Sequence, residues 1–361
     1  MSPYSSEGWD SVARVLVGHS TATSTGDRVA IIMRETGAEP LARAVYRECV
    51  SAGAFPQVLY TSSLFERDLM IHGNAGQIEW VPELYIQAME WADVCIDLRG
   101  TANLHEFESI DASVIAAHRK SQGKVSARRT SDTRWVICRV PSPLFAQQAR
   151  LPTDEVMDLF FNATCIDWEA EGRRLQALRE RLVGTAEVRI VSPPDTDLRF
   201  STSGRTYVVD DGHINMPGGE IFTAPVEDSM EGVISFPHPG VFAGTLIENI
   251  RLEFSAGRVI QATASSNQTF LEDIISMDDG ARRVGEFGIG TNTQLTSFSN
   301  DIFWDEKIAG TIHLALGRSY KECGGANDSA LHWDIVLDLR TGGTVFVDGK
   351  PVIVDGQFCL Q

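Results

Sequence analysis

The segment Arg28-Val-Ala-Ile-Ile-Met33, together with the segment from Glu39 to Gly53 that follows it, decides the fold class of the N-terminal half. The first is a short apolar run rich in β-branched residues, which is typical of a buried strand. In the second, apolar residues recur at helical spacing and a glycine closes the segment, as at the end of a helix. A strand followed by a helix is the unit from which parallel sheets are built.

The same alternation continues towards the C-terminus. The hydrophobic pattern predicts further strands at 57–60, 92–98 and 134–139, and helices at 82–91 and 110–122. Such alternation predicts a parallel sheet that is covered on both faces. No glycine-rich phosphate loop accompanies it, because Met33 is followed by Arg-Glu-Thr-Gly-Ala-Glu rather than by G-x-G-x-x-G.

The pattern changes after residue 150. A long helical segment with a break near 166–167 is predicted as a connecting helix at 151–185. From residue 186 onward, short strand candidates alternate with polar, glycine-containing turns. The strands are predicted at 186–192, 197–201, 233–235, 246–254 and 258–264, and a helix is predicted at 267–277. We therefore predict an α/β domain with a mostly parallel sheet at 1–150 and, at 186–361, an α+β catalytic domain rich in antiparallel strands.

Composition limits the class of partner. The 361 residues are 43% hydrophobic and carry a net charge of −18, which is typical of a globular protein with an acidic surface. Nucleic acid and anionic membranes are not expected partners, because no basic stripe is present. No apolar run reaches the ~18 residues of a spanning helix, and the N-terminus lacks the features of a signal peptide. Six scattered cysteines without a C-x-x-C pair indicate reduced, buried thiols and a cytoplasmic protein.

The C-terminal half is rich in side chains that bind metals. Glu220 follows a Pro-Gly-Gly turn, and Glu286 is the one charge between Val284 and Gly290. The spaced glycines around Glu286 are not followed by a helix pattern, so we interpret this segment as strand and turn rather than as a nucleotide loop. His313 lies in an apolar stretch. Taken singly, each of these side chains also fits a purely structural position in a turn or a core.

The sharpest pair is His332-Trp-Asp334, because alternate residues of a strand point to the same face of the sheet. Together with Tyr320, these residues form a set that is rich in oxygen, has two imidazoles and has no thiolate. Such a set suits two adjacent divalent cations such as Zn²⁺, Co²⁺ or Mn²⁺. Cations of this kind acidify water and polarise carbonyl groups, so the set predicts a metal-dependent hydrolase.

In order and spacing, these motifs resemble the aminopeptidase T and aminopeptidase S group of metallo-aminopeptidases, the M29 family. The resemblance is carried by Met216-Pro-Gly-Gly-Glu220-Ile-Phe-Thr-Ala-Pro225, Glu227-Asp-Ser-Met-Glu-Gly232, Gly285-Glu286, Asp305-Glu306, Gly310-Thr-Ile-His313-Leu-Ala-Leu-Gly317, Tyr320 and His332-Trp-Asp334. It implies an aminopeptidase-like fold, a homodimer and a dinuclear site that cleaves N-terminal residues from small peptides or a related small amide.

By this resemblance, the metal ligands are Glu220, Glu286, His313, Tyr320, His332 and Asp334. The resemblance also gives Glu220, Glu286, Tyr320 and Glu306 as the catalytic set, with Glu306 as a base or as a support for the ligands. The family's usual Pro-Thr-Gly-Glu is Pro-Gly-Gly-Glu here, so a hydroxyl beside the first ligand is lost and the identity of the substrate is open.

A relative of the same fold gives the alternative function. The ring-cleaving 2,5-dihydroxypyridine dioxygenase resembles this chain through the His-x-Asp motif and uses one Fe(II). That enzyme has histidine at the position of Glu286 and lacks the histidine that corresponds to His313, so hydrolysis is favoured. His238, in Phe236-Pro-His-Pro-Gly240, is a candidate for lining the substrate cleft.

Overall fold

A computed structural model describes residues 6–359 of the chain. The helices are α1 Ser6–Arg14, α2 Glu39–Ser51, α3 Ser63–His72, α4 Ala75–Ile78, α5 Glu83–Trp91, α6 Ala112–Asp132, α7 Pro143–Ala149, α8 Thr153–Thr164, α9 Trp168–Leu182, α10 Gln268–Ile275 and α11 Ile302–Asp305. The strands are β1 Arg28–Arg34, β2 Phe55–Thr61, β3 Val94–Arg99, β4 Arg134–Arg139, β5 Glu187–Ser192, β6 Thr196–Ser201, β7 Val208–Asp210, β8 Asn215–Met216, β9 Glu220–Thr223, β10 Glu231–Phe236, β11 Gly240–Phe242, β12 Thr245–Ile247, β13 Ile250–Ser255, β14 Arg258–Thr263, β15 Val284–Gly290, β16 Thr311–Gly317, β17 His332–Asp338, β18 Thr344–Val347, β19 Lys350–Val354 and β20 Gln357–Phe358.

Two compact units divide the chain. The first comprises the chain up to Ile166 together with Gly212–Gly218, and the second comprises Asp167–Asp211 and the chain from Gly219 onward. The helical segment predicted at 151–185 is two helices, of which α8 lies in the first unit and α9 in the second. The break between them falls where it was predicted, because the Asp167 side chain accepts a hydrogen bond from the backbone N–H of Ala170 and caps α9.

The first unit is built on a five-stranded sheet in the order β2-β1-β3-β4-β8. Every strand pair in it is parallel, which confirms the sheet predicted from strand–helix alternation. The central strands β1 and β3 are buried along most of their length. On one face, Ala30, Ile32 and Cys95 pack with Met89 of α5 and Val125 of α6. Apolar side chains on this face therefore pack the sheet against α5 and α6.

Some details of this unit differ from the predictions. The helix predicted at 110–122 continues as α6 to Asp132, starting after Asp111, which caps its first turn. Helices α1, α3, α4 and α7 were not predicted. The fifth strand, β8, was missed because it is two residues long and pairs with β4, which lies far from it in sequence.

The second unit contains two antiparallel sheets, which confirms the predicted fold class. One has the order β14-β13-β10-β6-β5-β18-β19-β20 and the other β17-β16-β15-β9-β7, and β11 and β12 form a separate hairpin. The prediction of one strand at 246–254 is wrong, because the structure has two strands there. β12 ends at Ile247 and β13 begins at Ile250, with Asn249 at a φ of 51° between them.

One face of the β17-β16-β15-β9-β7 sheet belongs to the apolar core of the second unit. It carries Ile221, Phe287, Ile289, Ile312, Leu314, Leu316, Trp333, Ile335 and Leu337, all of them buried in one cluster. Because side chains alternate along a strand, the residues between these point to the opposite face. That opposite face carries the predicted metal ligands.

Four of the six cysteines are buried, as expected, but Cys165 is exposed and Cys359 is partly exposed. Among residues 6–359, no helix combines the length and the apolar character needed to cross a membrane.

Candidate metal centre

Four neighbouring strands bring five of the predicted ligands to one face of the sheet. Glu220 begins β9, Glu286 lies in β15, His313 lies in β16, and His332 and Asp334 lie in β17. In sequence these residues are far apart, and the strand order β17-β16-β15-β9 makes them neighbours. The alternation of His332 and Asp334 along β17 places both on this face, as their spacing predicted.

Small residues on the same face give the ligands room. Gly288 is the partner of His313 in the ladder, and a Cβ atom at Gly288 would lie 2.1 Å from both Cε1 and Nε2 of the His313 ring. Ala315 pairs with both Glu286 and Asp334. The His313 ring therefore lies over a glycine backbone, and only glycine fits at position 288 with the ring in this place.

Glu286 lies between the two imidazoles. Its Oε1 is 3.5 Å from Nε2 of His313, and its Oε2 is 3.4 Å from Nε2 of His332. On one side, His313 Nε2 is also 3.5 Å from Oε2 of Glu220. On the other, His332 Nε2 is 3.3 Å from Oδ2 of Asp334. The geometry thus gives two clusters, Glu220–Glu286–His313 and Glu286–His332–Asp334, in each of which the donor atoms lie within 4.8 Å of one another.

Several buried polar atoms of this centre have no hydrogen-bond partner in the part of the chain that the structure describes. They are Oε2 of Glu220, Oδ1 of Asp334 and both ring nitrogens of His313. Buried polar atoms are normally satisfied, and leaving one unsatisfied costs about 1–3 kcal/mol. Carboxylate oxygens and imidazole nitrogens that converge in this way fit a divalent cation in donor type and in number.

Lys307 is a buried cation of this centre that the sequence pattern did not predict. Its side chain is completely buried, and its Nζ lies 2.6 Å from Oε1 of Glu220, 2.6 Å from Oε1 of Glu306 and 3.7 Å from Oδ2 of Asp210. Burial alone would lower the pKa of Lys307, but these carboxylates outweigh it and raise the pKa well above its ordinary value. A permanent cation therefore holds Glu220 and Glu306 in place.

Glu306 also reaches the centre. It follows α11 directly, and one of its oxygens forms a third cluster with donor atoms of His313 and Asp334. Asp305, its neighbour, points elsewhere: its buried carboxylate accepts hydrogen bonds from the backbone N–H and the hydroxyl of Ser299. Of the Asp305-Glu306 motif, only Glu306 therefore joins the centre.

Tyr320 lies at the edge of the centre. Its ring centroid is 5.2 Å from that of His332 and 5.6 Å from that of Phe222, and the residue is 37% exposed. Burial of the hydroxyl end and the carboxylates nearby, Glu286 first, raise the pKa of the Tyr320 phenol above its ordinary value.

The carboxylates also change the pKa values of the two imidazoles. Burial would lower the pKa of His313, but Glu286 and Glu220 outweigh it and raise the pKa to about 9. Likewise, Asp334 outweighs burial and raises the pKa of His332 to about 11. In the structure as it stands, both rings are thus protonated at neutral pH. Metal ligands must be deprotonated, so binding of a cation here releases protons.

His238 lines a small cavity together with Asp334 and Phe298. Its ring stacks on that of Phe298 with a centroid distance of 3.6 Å. The cavity that His238 lines therefore reaches one of the candidate ligands.

Comparison with known proteins gives the family of this chain. A family model described as "Thermophilic metalloprotease (M29)" matches residues 6–358. Aminopeptidase 2 of Geobacillus stearothermophilus is 27% identical over 281 residues, which are 63% of this chain and 65% of that enzyme. The chain thus matches slightly less than two thirds of that relative's length.

Two solved structures share the fold along the whole chain. Wild-type AmpT from Thermus thermophilus superposes with a TM-score of 0.84 at 22% identity, covering 98% of this chain and 99% of that one. The 2,5-dihydroxypyridine dioxygenase from Pseudomonas putida KT2440 superposes with a TM-score of 0.67 at 17% identity, covering 99% of each chain. The fold is therefore shared with both, and because the family match covers nearly all of its length, this chain belongs to the M29 family of metalloproteases.

Proposed function

We propose that this protein is a metallo-aminopeptidase with two divalent cations, which removes N-terminal residues from small peptides or cleaves a related small amide. The observation that carries the proposal is the position of Glu286, whose two oxygens point to different imidazoles. A carboxylate in that position suits a bridge between two cations, with Glu220 and His313 on one and His332 and Asp334 on the other. Tyr320 is the most exposed of the proposed ligands.

The chemistry of peptide hydrolysis fits this arrangement. Divalent cations bound here would supply Lewis acidity, which polarises a scissile carbonyl and makes water a better nucleophile at neutral pH. The chain's own carboxylates would attract the positively charged N-terminus of a peptide, because Glu220, Glu286, Glu306 and Asp334 converge on one side of the sheet.

We assign to Glu306 the role of general base. It lies at the centre, its side chain is 14% exposed, and it hydrogen-bonds to Lys307. A base must lie within hydrogen-bond reach of the proton that it takes, and Glu306 is close to the donor atoms of His313 and Asp334. Lys307 would position both Glu306 and Glu220 without contacting the substrate.

The donor set bears on the choice of cation. Carboxylates and imidazoles without thiolate suit Zn²⁺, Co²⁺ or Mn²⁺. The alternative, a mononuclear Fe(II) centre for ring cleavage, has weaker support. The dioxygenase has the lower TM-score of the two solved structures, and a single-iron site leaves one of the two clusters around Glu286 without a role.

A homodimer and a cytoplasmic location complete the proposal. The dimer follows from the family resemblance, and sedimentation of the purified protein would test it. The cytoplasmic location is supported by six free cysteines, which are typical of proteins from a reducing compartment.

The function is tested with paired substrates. Protein loaded with Zn²⁺, Co²⁺ or Mn²⁺ would be assayed on leucine 4-nitroanilide and on its N-acetylated analogue. We expect hydrolysis of the free amine and at least a hundredfold loss on acetylation, because the acyl group removes the charge that the carboxylates attract. Absence of hydrolysis with all three metals, on anilides and on a panel of dipeptides and small amides, would contradict the proposal.

A further inference from the structure

The first unit contains a cavity of about 750 Å³ beside its parallel sheet. Its floor is formed by the ends of β1 and β3, and its walls come from α3, α5, α6 and the segment around Trp80. Cavities of roughly 300–1,000 Å³ are the usual size of sites for small organic molecules. The metal centre described above lies in the other unit and shares no residue with this cavity.

A buried carboxylate beneath the cavity accepts four hydrogen bonds from guanidinium groups. Asp97 is completely buried and accepts from Nε and NH2 of Arg34, from Nε of Arg99 and from NH1 of Arg129. A carboxylate has about four lone-pair positions, and Asp97 accepts one of these bonds on Oδ1 and the other three on Oδ2. The three guanidinium groups have five N–H donors each, and one carboxylate cannot satisfy them all.

Positive charge therefore remains at the cavity. Four arginines line it, Arg34, Arg99, Arg119 and Arg129, and the carboxylates that oppose them are Glu66 in the lining and Asp97 beneath it. Four positive charges against two negative ones leave a surplus of two in a chain whose net charge is −18. The Arg34 and Arg99 side chains are each 37% exposed, so both remain accessible from the cavity.

Buried polar atoms beside the cavity also lack partners. Nε of Arg129 and both ring nitrogens of His118 are buried and make no hydrogen bond within residues 6–359. His118 is 4% exposed, and its nearest charged neighbour is Oε2 of Glu66 at 3.9 Å. Such atoms are normally satisfied, so the N–H groups of Arg129 and His118 are unpaired donors beside the cavity.

The remaining walls are apolar and aromatic. Phe65, Trp80 and Tyr85 line the cavity, together with Leu69 and Met89. Phe65 and Trp80 are 62% and 55% exposed, which is unusual for such large side chains. Aromatic walls beside guanidinium groups favour a ligand with a planar ring and an acidic group.

The topology of the sheet points to the same place. From β1 the chain moves outward to β2 and then returns to the other side of β1 as β3, so the strand order reverses between β1 and β3. Arg34 and Arg99 are the last residues of these two strands and are partners in the ladder. In open parallel sheets, ligands bind outside the carboxyl ends of the strands at such a reversal.

We propose that this cavity is a second binding site, which takes a small aromatic anion, a carboxylate or a phosphate, on the guanidinium groups of Arg34, Arg99 and Arg129. The acid group lies against Arg34 and Arg99, and the ring lies between Trp80, Phe65 and Tyr85. The site stands independently of the peptidase function, because the two use different residues in different units.

Titration calorimetry on the metal-loaded, full-length protein tests the site. The probes are phenylacetate, phenyl phosphate and the neutral analogue phenylacetamide, with inorganic phosphate as the anion without a ring. We expect the two aromatic anions to bind at least tenfold more tightly than either phenylacetamide or inorganic phosphate, since both the charge and the ring are recognised. The ratio of the dissociation constants of phenylacetate and phenyl phosphate identifies the acid group that the site prefers.

Substitutions test whether the anion binds in this cavity. Arg99→Gln and Trp80→Ala should each lower the affinity for the preferred anion about tenfold or more. Arg128 is an exposed neighbour on α6, and Arg128→Gln should leave that affinity unchanged. Trp80 is more than half exposed, so its substitution keeps the test valid if Arg99→Gln fails to fold. His332→Ala, in the metal centre, should bind the anion like the wild type. The proposal is overturned if no aromatic anion binds, if phenylacetamide or inorganic phosphate binds equally well, if Trp80→Ala binds like the wild type, or if His332→Ala abolishes binding.

Discussion

Gly288→Ala is the substitution that most clearly separates a built metal centre from a chance cluster of polar residues. The added Cβ would lie 2.1 Å from Cε1 and Nε2 of His313, whereas ordinary contacts begin at 3.4 Å. The ring must therefore move by at least 3.4 − 2.1 = 1.3 Å or turn away from Glu220 and Glu286. His313 is completely buried, so it has little room to do so.

The size of the effect follows from that displacement. A misplacement of about 1 Å at a reacting centre costs on the order of a hundredfold in rate. We therefore expect kcat/KM on leucine 4-nitroanilide to fall at least a hundredfold, which corresponds to about 2.7 kcal/mol. The metal content of the purified protein should fall as well, because His313 is one of the proposed ligands.

The matched control is Gly18→Ala, where an added Cβ meets nothing within 4 Å. We expect that variant to keep wild-type activity and metal content. Circular dichroism and thermal unfolding would show whether Gly288→Ala is folded. If folded Gly288→Ala binds as much metal as the wild type and its kcat/KM stays within twofold, the placement of His313 as a ligand is refuted.

Three further predictions concern other charged groups. His332→Ala should reduce the metal ions bound per chain, measured by inductively coupled plasma mass spectrometry, and exposed His105→Ala should not; equal stoichiometry in the two would exclude His332 as a ligand. Lys307→Met should lower the free energy of unfolding of the metal-free protein by about 3–5 kcal/mol, because buried carboxylates lose their cation, whereas exposed Lys321→Met should leave it unchanged in a urea titration. Burial would raise the pKa of Asp97, but three guanidinium groups outweigh it and lower the pKa below its unfolded value of about 3.9. The ionised carboxylate of Asp97 therefore stabilises the folded state above about pH 4. This contribution is lost as the pH falls through the lower pKa that Asp97 has in the folded state. Asp97→Asn should thus be less stable at pH 7 and lose less stability on acidification, and an unchanged acid slope in urea titrations would contradict the assignment.

The strands of both units could be predicted in outline because burial leaves a clear trace in sequence. The run at 29–33 is apolar on both faces, and the run at 92–98 is apolar apart from Asp93 and Asp97, as expected for strands covered by helices on both sides. His332 and Asp334 are alternate residues of a strand, so the sequence alone predicts that their side chains point to the same face of the sheet. Strand order and register could not be predicted, because they depend on pairing between segments far apart in the chain.

Lys307 and Gly288 show why part of the metal centre could not be predicted from the sequence. Lys307 follows Asp305 and Glu306, and a run of charges normally indicates an exposed turn, whereas here the lysine is completely buried among carboxylates. Gly288 belongs to a set of spaced glycines that suggested only strand and turn. Its role depends on His313 crossing over it from the neighbouring strand, and no local pattern in either segment reports that contact.

The central claim is that Glu286 joins two cation sites, and a count of bound metal ions tests it most directly. The wild-type protein and Glu286→Gln would be dialysed against Zn²⁺, Co²⁺ or Mn²⁺, desalted and analysed for metal per chain. We expect two ions per chain in the wild type and fewer than one in the variant, because both clusters lose a shared ligand. One ion per wild-type chain, or two ions retained by Glu286→Gln, would contradict the claim.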